Sequence, residues 1–218
     1  MVNNERPILF SGEMVRAILD GRKTQTRRVI KAKVPCWNKP DDWQKGICFH
    51  GMVSFNNGPS KQHQLRDFSV QCPYGIPCDR LWVRETWQNT ADMGICHPAD
   101  NYVVYRATDP DWETMEGWKW RPSIFMPREA SRITLEITDI RVERVQDISE
   151  KDAEHEGLTE WQDFIYLSPD ESRMTRDIIQ AFSWLWDSLN AKRGYSWESN
   201  PWVWVIDFKK IKEGSDGR

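Results

Sequence analysis

The 218-residue sequence lacks several features that would place it in a narrow class of proteins. No run of apolar residues approaches the length of a membrane span, and the N-terminus has no apolar core of the kind found in secretory signals. Positive charge is not in excess, because 30 lysines and arginines face 33 aspartates and glutamates. A sequence-independent binder of duplex DNA is normally basic over its whole domain. These absences predict a cytoplasmic protein with no membrane partner, in which any nucleic-acid contact uses local patches of charge.

Cysteine is scarce, and its spacing excludes the commonest cysteine-based frameworks. Five cysteines are an odd number spread over a long chain, which is not the pattern of a secreted disulfide scaffold. No pair has the two-to-four-residue spacing of a zinc ribbon or finger. We therefore expect buried or loop thiols, with neither a metal nor another cofactor. The residues that could in principle form a zinc site are Cys36, Cys48, His50, Cys72 and Cys78.

Tryptophan, by contrast, is abundant, with 13 residues in the chain. Each indole buries roughly 150–250 Å² and offers a face on which a base or a cation can stack. Most of them are expected to pack in the core, with one or two lining a ligand pocket. The run Trp-Lys-Trp-Arg at 118–121 alternates rings and cations. This pattern suits a stacked base beside a phosphate, and it equally suits a cover over the core.

The densest group of functional side chains is the octapeptide Gly-Arg-Lys-Thr-Gln-Thr-Arg-Arg at 21–28. Directly before it, the apolar spacing predicts a short amphipathic helix over 12–20. Ser11 can cap the start of this helix, and Gly21 supplies a left-handed stop. The octapeptide is either a solvated edge that discourages strand pairing or a functional site.

Residues 24–30 have β-branched side chains at alternate positions, which predicts a strand leaving the helix cap. Lys23 then falls in the connecting turn, where its long side chain can reach either side. The strand would carry Thr24, Thr26 and Arg28 on one face and Arg27 and Val29 on the other.

This order of helix, Gly-Arg-Lys-Thr-x-Thr-x-Arg and strand resembles the signature of the ASCH domain, a relative of the PUA-type RNA-binding barrel. Two further segments match the family in the same order. The segment Cys-Asp-Arg-Leu-Trp-Val-Arg-Glu at 78–85 resembles its Gly-Asp-x-Leu-x-Val strand, with Cys78 where the family usually has glycine. The segment Ile-Ser-Glu-Lys-Asp-Ala-Glu-His-Glu-Gly at 148–157 resembles its acidic helix.

The segments at 120–124, 126–128 and 202–205 make nearly the whole chain similar to the longer ASCH proteins often carried by bacteriophages and prophages. The resemblance implies an α+β fold, a PUA-like mixed β-barrel with flanking helices. It also implies a single domain over residues 1–218, whose surplus length lies in insertions. We place two loop-rich insertions at about 34–79 and 88–131, and a C-terminal helix and closing strand at about 172–208.

Two carboxylates are predicted to need partners. The strand pattern at 80–87 puts Glu85 on the same face as core residues, and an arginine is its natural partner. Arg84 and Glu85 are then either structural ion-pair residues or the frame of a pocket opening. A helix capped by Ser149 places Glu156 at its C-terminal end, where a negative charge is unfavourable. We expect a compensating cation there, either Lys23 or an arginine of the octapeptide. Further elements are predicted at 133–145 (strand), 172–190 (helix) and 202–208 (strand).

The resemblance also implies a chemistry. One branch of the family consists of small amidohydrolases that remove the acetyl group from N4-acetylcytidine, with a lysine base, a threonine nucleophile and a glutamic acid that protonates the leaving amine. The matching positions are Lys23, Thr26 and Glu156. A threonine hydroxyl needs a neighbour to accept its proton, and a lysine can do so only if burial or nearby cations lower its pKa. We expect Arg22, Arg27 and Arg28 to supply such cations.

The remaining expectations concern substrate and partners. The expected classes of ligand are a modified nucleoside and single-stranded RNA. The first hypothesis is a hydrolase of an N4-acylated cytidine or related nucleoside or RNA. The alternatives are a non-catalytic module that binds RNA or a nucleotide, and a ribonuclease. The residues expected to bind substrate are Arg22, Thr24, Arg27, Arg28, Arg84, Glu85, Trp120, Arg128 and Arg132.

Overall fold

The structure is a computed structural model, and it describes residues 4–31, 43–49, 52–57, 68–93, 103–158, 160–161, 165–167 and 172–211. Within these ranges the fold is mixed α/β, with one five-stranded sheet of mixed direction, three smaller sheets and three α-helices. None of these helices is long and apolar enough to cross a membrane. The helices are α1 (Gly12–Leu19), α2 (Glu150–His155) and α3 (Ile178–Asn190).

The strands, in chain order, are β1 (Glu5–Leu9), β2 (Gln25–Val29), β3 (Trp43–Phe49), β4 (Met52–Asn57), β5 (Phe68–Gln71), β6 (Arg80–Arg84), β7 (Trp87–Asn89), β8 (Val103–Tyr105), β9 (Thr134–Arg144), β10 (Glu160–Trp161), β11 (Ile165–Leu167), β12 (Met174–Thr175) and β13 (Trp202–Lys210). The main sheet has the order β1-β6-β9-β13-β2. Its first pair is parallel and the other three pairs are antiparallel.

The predicted barrel is not closed by strand pairing. β1 and β2 are the two edges of the main sheet, and the described residues contain no ladder between them. A side chain joins the edges instead, because Nη2 of Arg28 on β2 donates to the carbonyl of Leu9 on β1 at 2.6 Å. The strand expected to close a barrel, β13, lies inside the sheet between β9 and β2. The arrangement remains compatible with the α+β class.

Local sequence signals set the ends of α1 as predicted. The Ser11 hydroxyl accepts a hydrogen bond from the backbone N–H of Met14, which satisfies one of the unpaired donors of the first turn. Gly21 follows the helix with a φ of 77°, a left-handed conformation that glycine adopts without strain. The chain therefore turns at once into β2, which confirms the predicted helix, turn and strand.

The other two helices follow their caps more closely than their apolar periodicity. Ser149 caps α2, and Gly157 ends that segment with a φ of 82°, as predicted. The helix predicted from residue 172 begins only at Ile178, so its first six residues were assigned wrongly. Asp177 caps α3 by accepting from the N–H groups of Ile179 and Gln180. Ahead of it, Met174 lies in β12 and is 66% exposed, because strand pairing there overrides the helical spacing.

The main sheet is buried on both faces. Trp204 and Ile206 of β13 pack with α1 in one core cluster, and Val203 and Val205 pack with α2 and α3 in another. All four side chains are at most 1% exposed. Burial of a large apolar side chain contributes roughly 1.5–3 kcal/mol, so β13 anchors both layers. It also fixes the position of β2, its antiparallel neighbour.

The two insertions contain more regular structure than loops alone. In the first, β3, β4 and β5 form an antiparallel sheet of their own. In the second, β7 pairs with β8, and short 3-10 turns follow. Those turns cover Pro110–Thr114, Ser123–Phe125 and Arg128–Ala130.

The residue before β6 has an unusual backbone conformation. Cys78 has a φ of 77°, in the left-handed region that side chains with a Cβ rarely adopt. Its N–H donates to the carbonyl of Ile137, and the Asp79 carboxylate beside it accepts from the N–H groups of Asn4 and Ile76. The turn therefore has a geometry that favours glycine, although this chain has cysteine there.

Candidate active site

The turn before β2 is held between the ends of two helices. The N–H groups of Arg22 and Lys23 both donate to the carbonyl of Ala17 in α1, at 2.9 and 3.0 Å. The N–H of Thr24 donates to the carbonyl of His155 at the end of α2, at 2.9 Å. The first two bonds fix the turn against α1, and the third joins it to a segment more than a hundred residues away in sequence. Together they place Lys23 next to the C-terminus of α2.

Lys23 and Glu156 form a buried pair there. Nζ of Lys23 lies 2.6 Å from Oε2 of Glu156 and donates a second hydrogen bond, at 2.8 Å, to the carbonyl of the same residue. The Lys23 side chain is fully buried and that of Glu156 is 4% exposed. The predicted compensating cation for Glu156 is thus Lys23, at a helix end where a positive charge is favourable.

Burial lowers the pKa of Lys23, and the cations Arg28 and Arg27 lower it further, whereas Glu156 raises it by attraction and hydrogen bonding. Desolvation is the largest of these causes, because the charged ammonium loses its water. The cationic neighbours were predicted at the sequence level. Arg22, the third cation expected to contribute, is exposed and bonds instead to Asp20 and to the carbonyl of Gly157.

Gly157 allows this close approach. A Cβ on Gly157 would lie 2.7 Å from Cβ of Lys23 and 2.9 Å from Cβ of Ala17, distances that no side chain tolerates. Its φ of 82° also disfavours any residue with a Cβ. The end of α2 can contact the Lys23 turn only because this position has no side chain.

Arg27 ties Glu156 to a wider polar network on the α2 side of the sheet. Its Nη1 lies 3.4 Å from Oε1 of Glu156, and its Nη2 lies 3.1 Å from Asp152 and 3.3 Å from Glu143. Gln25 donates to Asp152 and Asp207 and accepts from Arg27. Glu156 is therefore held from both sides, by an ammonium and by a guanidinium.

Thr26 faces the opposite side of β2 and differs from these neighbours. It is 3% exposed and lies across from Ile206 in the ladder with β13. Among the described residues, its hydroxyl has no hydrogen-bond partner. Lys23 precedes β2 and lies in the connecting turn, as predicted, so strand alternation does not fix its side relative to Thr26.

A cavity of about 460 Å³ opens beside β2, between the two edges of the main sheet. Thr26 and Glu156 both line it, whereas Lys23 is not one of the lining residues and contacts Glu156. Residues from β1 and α1 form one wall, and the C-terminal half of α3 with the turn after it forms another. The other lining residues are Leu9, Phe10, Ser11, Met14, Arg27, Arg28, Val29, Lys31, Tyr74, Thr86, Ser123, Ile124, Phe182, Leu185, Trp186, Leu189, Asn190, Arg193 and Tyr195.

The other residues predicted to bind substrate do not line this cavity. Arg84 stacks on Trp82 and donates to the carbonyl of Ile124, and Arg128 pairs with Glu5. Trp120 packs edge-on against Trp118. Outside the cavity lie Arg22, Thr24, Arg84, Glu85, Trp120, Arg128 and Arg132.

Glu85 and Arg132 form a second buried pair, away from the cavity. Nε and Nη2 of Arg132 contact the two carboxylate oxygens of Glu85, each at 2.9 Å. Arg132 also stacks over Tyr105, 3.9 Å from the ring centre, and donates to the hydroxyl of Thr108. The structural alternative for Glu85 therefore fits its surroundings, with Arg132 rather than Arg84 as the partner.

Several cavity residues were missed at the sequence level. The segment 172–190 was predicted as a helix with no role in the site, yet Trp186 of α3 lines the cavity. Arg193 and Tyr195, which follow α3, line it too. The indole N–H of Trp186 donates to the carbonyl of Tyr195 at 2.8 Å, which folds the turn after α3 back toward β2. A stop signal was present at Gly194, with a φ of 85°, but no local pattern shows which strand that turn meets.

The described residues contain no group of three or more histidine, cysteine, aspartate or glutamate side chains arranged for a metal ion. Of the cysteines considered for zinc, Cys72 is buried, Cys78 is exposed and Cys48 lies in β3. Cys36 and His50 lie outside the described residues.

Comparisons with protein-family models, curated proteins and solved structures find no match. The function is therefore inferred from the geometry and chemistry of the site.

Proposed function

We propose that the chain is a hydrolase of the ASCH type that removes the acyl group from an N4-acylated cytidine or a related nucleoside or RNA. One observation carries the proposal. Thr26 is 3% exposed and has no hydrogen-bond partner for its hydroxyl among the described residues, and it lines the same cavity as Glu156, which is hydrogen-bonded to the buried Lys23. Nucleophile, base and acid are the three roles that amide hydrolysis needs.

In the reactive form of the pair, Lys23 is the free base and Glu156 carries the proton. Burial lowers the pKa of Lys23, so less free energy is needed to reach its free-base form. Oγ of Thr26 attacks the carbonyl carbon of the acyl group, and Lys23 accepts the hydroxyl proton. When the C–N bond breaks, Glu156 gives its proton to N4, which leaves as the amine of cytosine. The products of this half are an acyl ester on Thr26 and a charged Lys23–Glu156 pair.

Water completes the cycle. The Glu156 carboxylate accepts a proton from water as its oxygen attacks the ester, and the ammonium of Lys23 returns a proton to Oγ of Thr26 as the ester bond breaks. The acid is released, and the neutral pair is restored. Arg27, which also lines the cavity, is the cation assigned to stabilise the negative charge that develops on the carbonyl oxygen in both halves.

The size and lining of the cavity support a nucleoside-sized ligand. A volume of about 460 Å³ lies within the roughly 300–1,000 Å³ typical of small-molecule sites. Phe10, Tyr74 and Trp186 contribute aromatic side chains to the lining, and such faces stack on bases in many RNA-binding proteins.

The test is hydrolysis of N4-acetylcytidine by the full chain, followed by absorbance. Thr26→Ala, Lys23→Ala and Glu156→Gln should each lower kcat/KM by about 10²–10⁴-fold, the range associated with loss of acid–base groups. Thr26→Ser should retain part of the activity because it keeps a hydroxyl. Thr138→Ala, on an exposed position of β9, is the matched control and should behave like the parent chain.

A second candidate is a nucleotide- or RNA-binding module without turnover. The observation that favours it is the excess of cations over carboxylates in the lining, where Arg27, Arg28, Lys31 and Arg193 accompany Glu156. Tight binding of the nucleoside with no hydrolysis by the parent chain would support the module. Cleavage of labelled single-stranded RNA by the parent chain would instead favour a ribonuclease.

A further inference from the structure

Arg28, which is half-buried, differs from the other buried or half-buried cations near it. Lys23, Arg27 and Arg141 each lie within 4 Å of at least one carboxylate oxygen. Arg28 lines the cavity but, within the described residues, has no carboxylate at that distance. A guanidinium that is largely withdrawn from water normally requires an anion.

The donors of Arg28 are only partly used. A guanidinium has five N–H donors, and Nη2 uses one of them on the carbonyl of Leu9. Nε is buried and has no hydrogen-bond partner among the residues that the structure describes. The rings of Phe10 and Tyr74 lie 5.0 and 6.0 Å from the guanidinium carbon and limit its movement. The group is therefore fixed in place with donors left over.

Other cations border the same space. Arg193, in the turn after α3, and Lys31, directly after β2, both line the cavity, and neither has an ion pair in the part of the chain that the structure describes. Arg193 is close enough for its charge to lower the pKa of Arg28, although desolvation is the main cause of that shift. Glu156, the carboxylate in the lining, is already engaged by Lys23 and Arg27.

We infer that Arg28 and Arg193 form a phosphate subsite, so that the substrate is a phosphorylated nucleotide carrying the N4-acyl group, free or within RNA. The planar fork of arginine matches phosphate oxygens, and a pair of such groups suits a dianion. Lys31 adds a third positive charge at the same opening. The identification of the phosphate as part of a substrate rests on the proposed hydrolase function, whereas the subsite itself does not.

The experiment compares N4-acetylcytidine with its 5′-monophosphate, its 3′-monophosphate and a short acetylated oligonucleotide. At least one phosphorylated form should have a kcat/KM about tenfold above that of the nucleoside, as expected for one charge-assisted contact. Arg193→Ala should reduce this ratio about tenfold. Lys192→Ala removes the same charge from the adjacent, exposed position, which does not line the cavity, and should leave the ratio unchanged.

Which phosphorylated form is preferred distinguishes a mononucleotide from an RNA substrate. Equal kcat/KM values for all four substrates would overturn the subsite and leave the hydrolase intact. An equal loss in Arg193→Ala and Lys192→Ala would also overturn it, because the effect would then be diffuse electrostatics.

If none of the four is hydrolysed, the proposed function fails and the subsite is tested by calorimetry with cytidine and its two monophosphates. Tighter binding of a monophosphate that is lost in Arg193→Ala and kept in Lys192→Ala supports the subsite. Equal affinities for the nucleoside and both monophosphates reject it.

Discussion

Two of the buried ion pairs among the described residues, Lys23–Glu156 and Arg132–Glu85, are similar in distance and different in character. Both join a carboxylate that is at most 5% exposed to a cation far away in sequence. In the first pair the cation is a lysine with no exposed side chain, and in the second it is an arginine whose side chain is 25% exposed. The first contacts a cavity, and the second does not.

Burial acts on a different partner in each pair. In the first, desolvation lowers the pKa of Lys23 against the attraction of Glu156. In the second, desolvation raises the pKa of Glu85 against the hydrogen bonds and charge of Arg132. An arginine cannot lose its proton in a protein, whereas a lysine can. The difference shows how one residue type separates a pair that can transfer a proton from a pair that only holds two segments together.

Exchanging the two cations should give the largest contrast. Lys23→Arg keeps the charge but removes a base that can be deprotonated, so kcat/KM should fall by about 10²–10⁴-fold. Arg132→Lys should leave activity nearly unchanged and lower the free energy of unfolding by about 1.5 kcal/mol, through loss of the two-point contact. Steady-state kinetics and urea unfolding measure both. Lys23→Arg adds volume at a buried position, so Lys23→Met is used instead if the arginine variant does not fold. Activity retained in either variant would contradict the catalytic assignment.

The steric basis of the first pair is tested by Gly157→Ala. Left-handed strain and contact with Lys23 and Ala17 should together lower the free energy of unfolding by about 2–4 kcal/mol. Gly117→Ala is the matched control, because Gly117 has a φ of 78° and no atom lies within 4 Å of the position that its new Cβ would take. That variant should lose only the strain, about 1 kcal/mol. Equal losses in urea unfolding would show that the contact with Lys23 is unimportant.

The alkaline pH dependence of stability should report on Lys23. Its pKa is lower in the folded chain than the ordinary value of 10.5, so the unfolded chain binds this proton more tightly. Stability should therefore rise with pH between the folded pKa and 10.5. Urea unfolding of the parent chain and Lys23→Met over this range isolates the effect. Parallel curves for the two proteins would reject a lowered pKa.

The acidic pH dependence should report on Glu85, with the opposite sign. Its pKa is raised above the ordinary 4.5, so protonation favours the folded chain. The contribution is fully present below pH 4.5 and is lost as pH rises through the folded pKa. Arg132 opposes this shift through its hydrogen bonds and its charge. Glu85→Gln should remove the decline, and its persistence in that variant would assign it to another group.

The smallest expected effect lies at the start of β6, the strand that leads to Glu85. Cys78→Gly should relieve left-handed strain of about 1–2 kcal/mol while adding backbone freedom to the unfolded chain, for a net gain of roughly 0.5 kcal/mol. Cys78→Ala keeps the Cβ and should show no gain. A loss of stability in Cys78→Gly would mean that the thiol makes a contact worth more than the strain.

Local signals predicted the parts of the site that depend on neighbouring residues. The caps Ser11 and Ser149 and the stops Gly21 and Gly157 fix where α1 and α2 begin and end, and each of these residues acts at its own position. The pairing of Glu156 with a cation followed from the cost of a negative charge at a helix end. Such effects are short in range and can therefore be derived from sequence.

The parts that were wrong or missed depend on which elements meet. Met174 has the spacing of a helical residue, but pairing with β11 puts it in a strand. The prediction that β13 closes a barrel was wrong, because the order of strands in a sheet depends on contacts between distant segments and not on the sequence of any one of them. Arg193 and Tyr195 reach the cavity through the fold of the turn after α3. The relationship to the ASCH family and the catalytic roles of Lys23, Thr26 and Glu156 are proposals.

Within the described part of the chain, one hydrogen bond, from Arg28 to the carbonyl of Leu9, joins the two edge strands β1 and β2 of the main sheet. A ligand that takes both N–H groups of Nη2 must displace the Leu9 carbonyl, and the free energy of breaking that hydrogen bond is then subtracted from its affinity. A ligand that uses Nε and Nη1 leaves the hydrogen bond between Arg28 and Leu9 intact. Affinity and the docking of the first strand are thus thermodynamically coupled, and the protein can discriminate between anions of equal charge by which edge of one guanidinium they occupy.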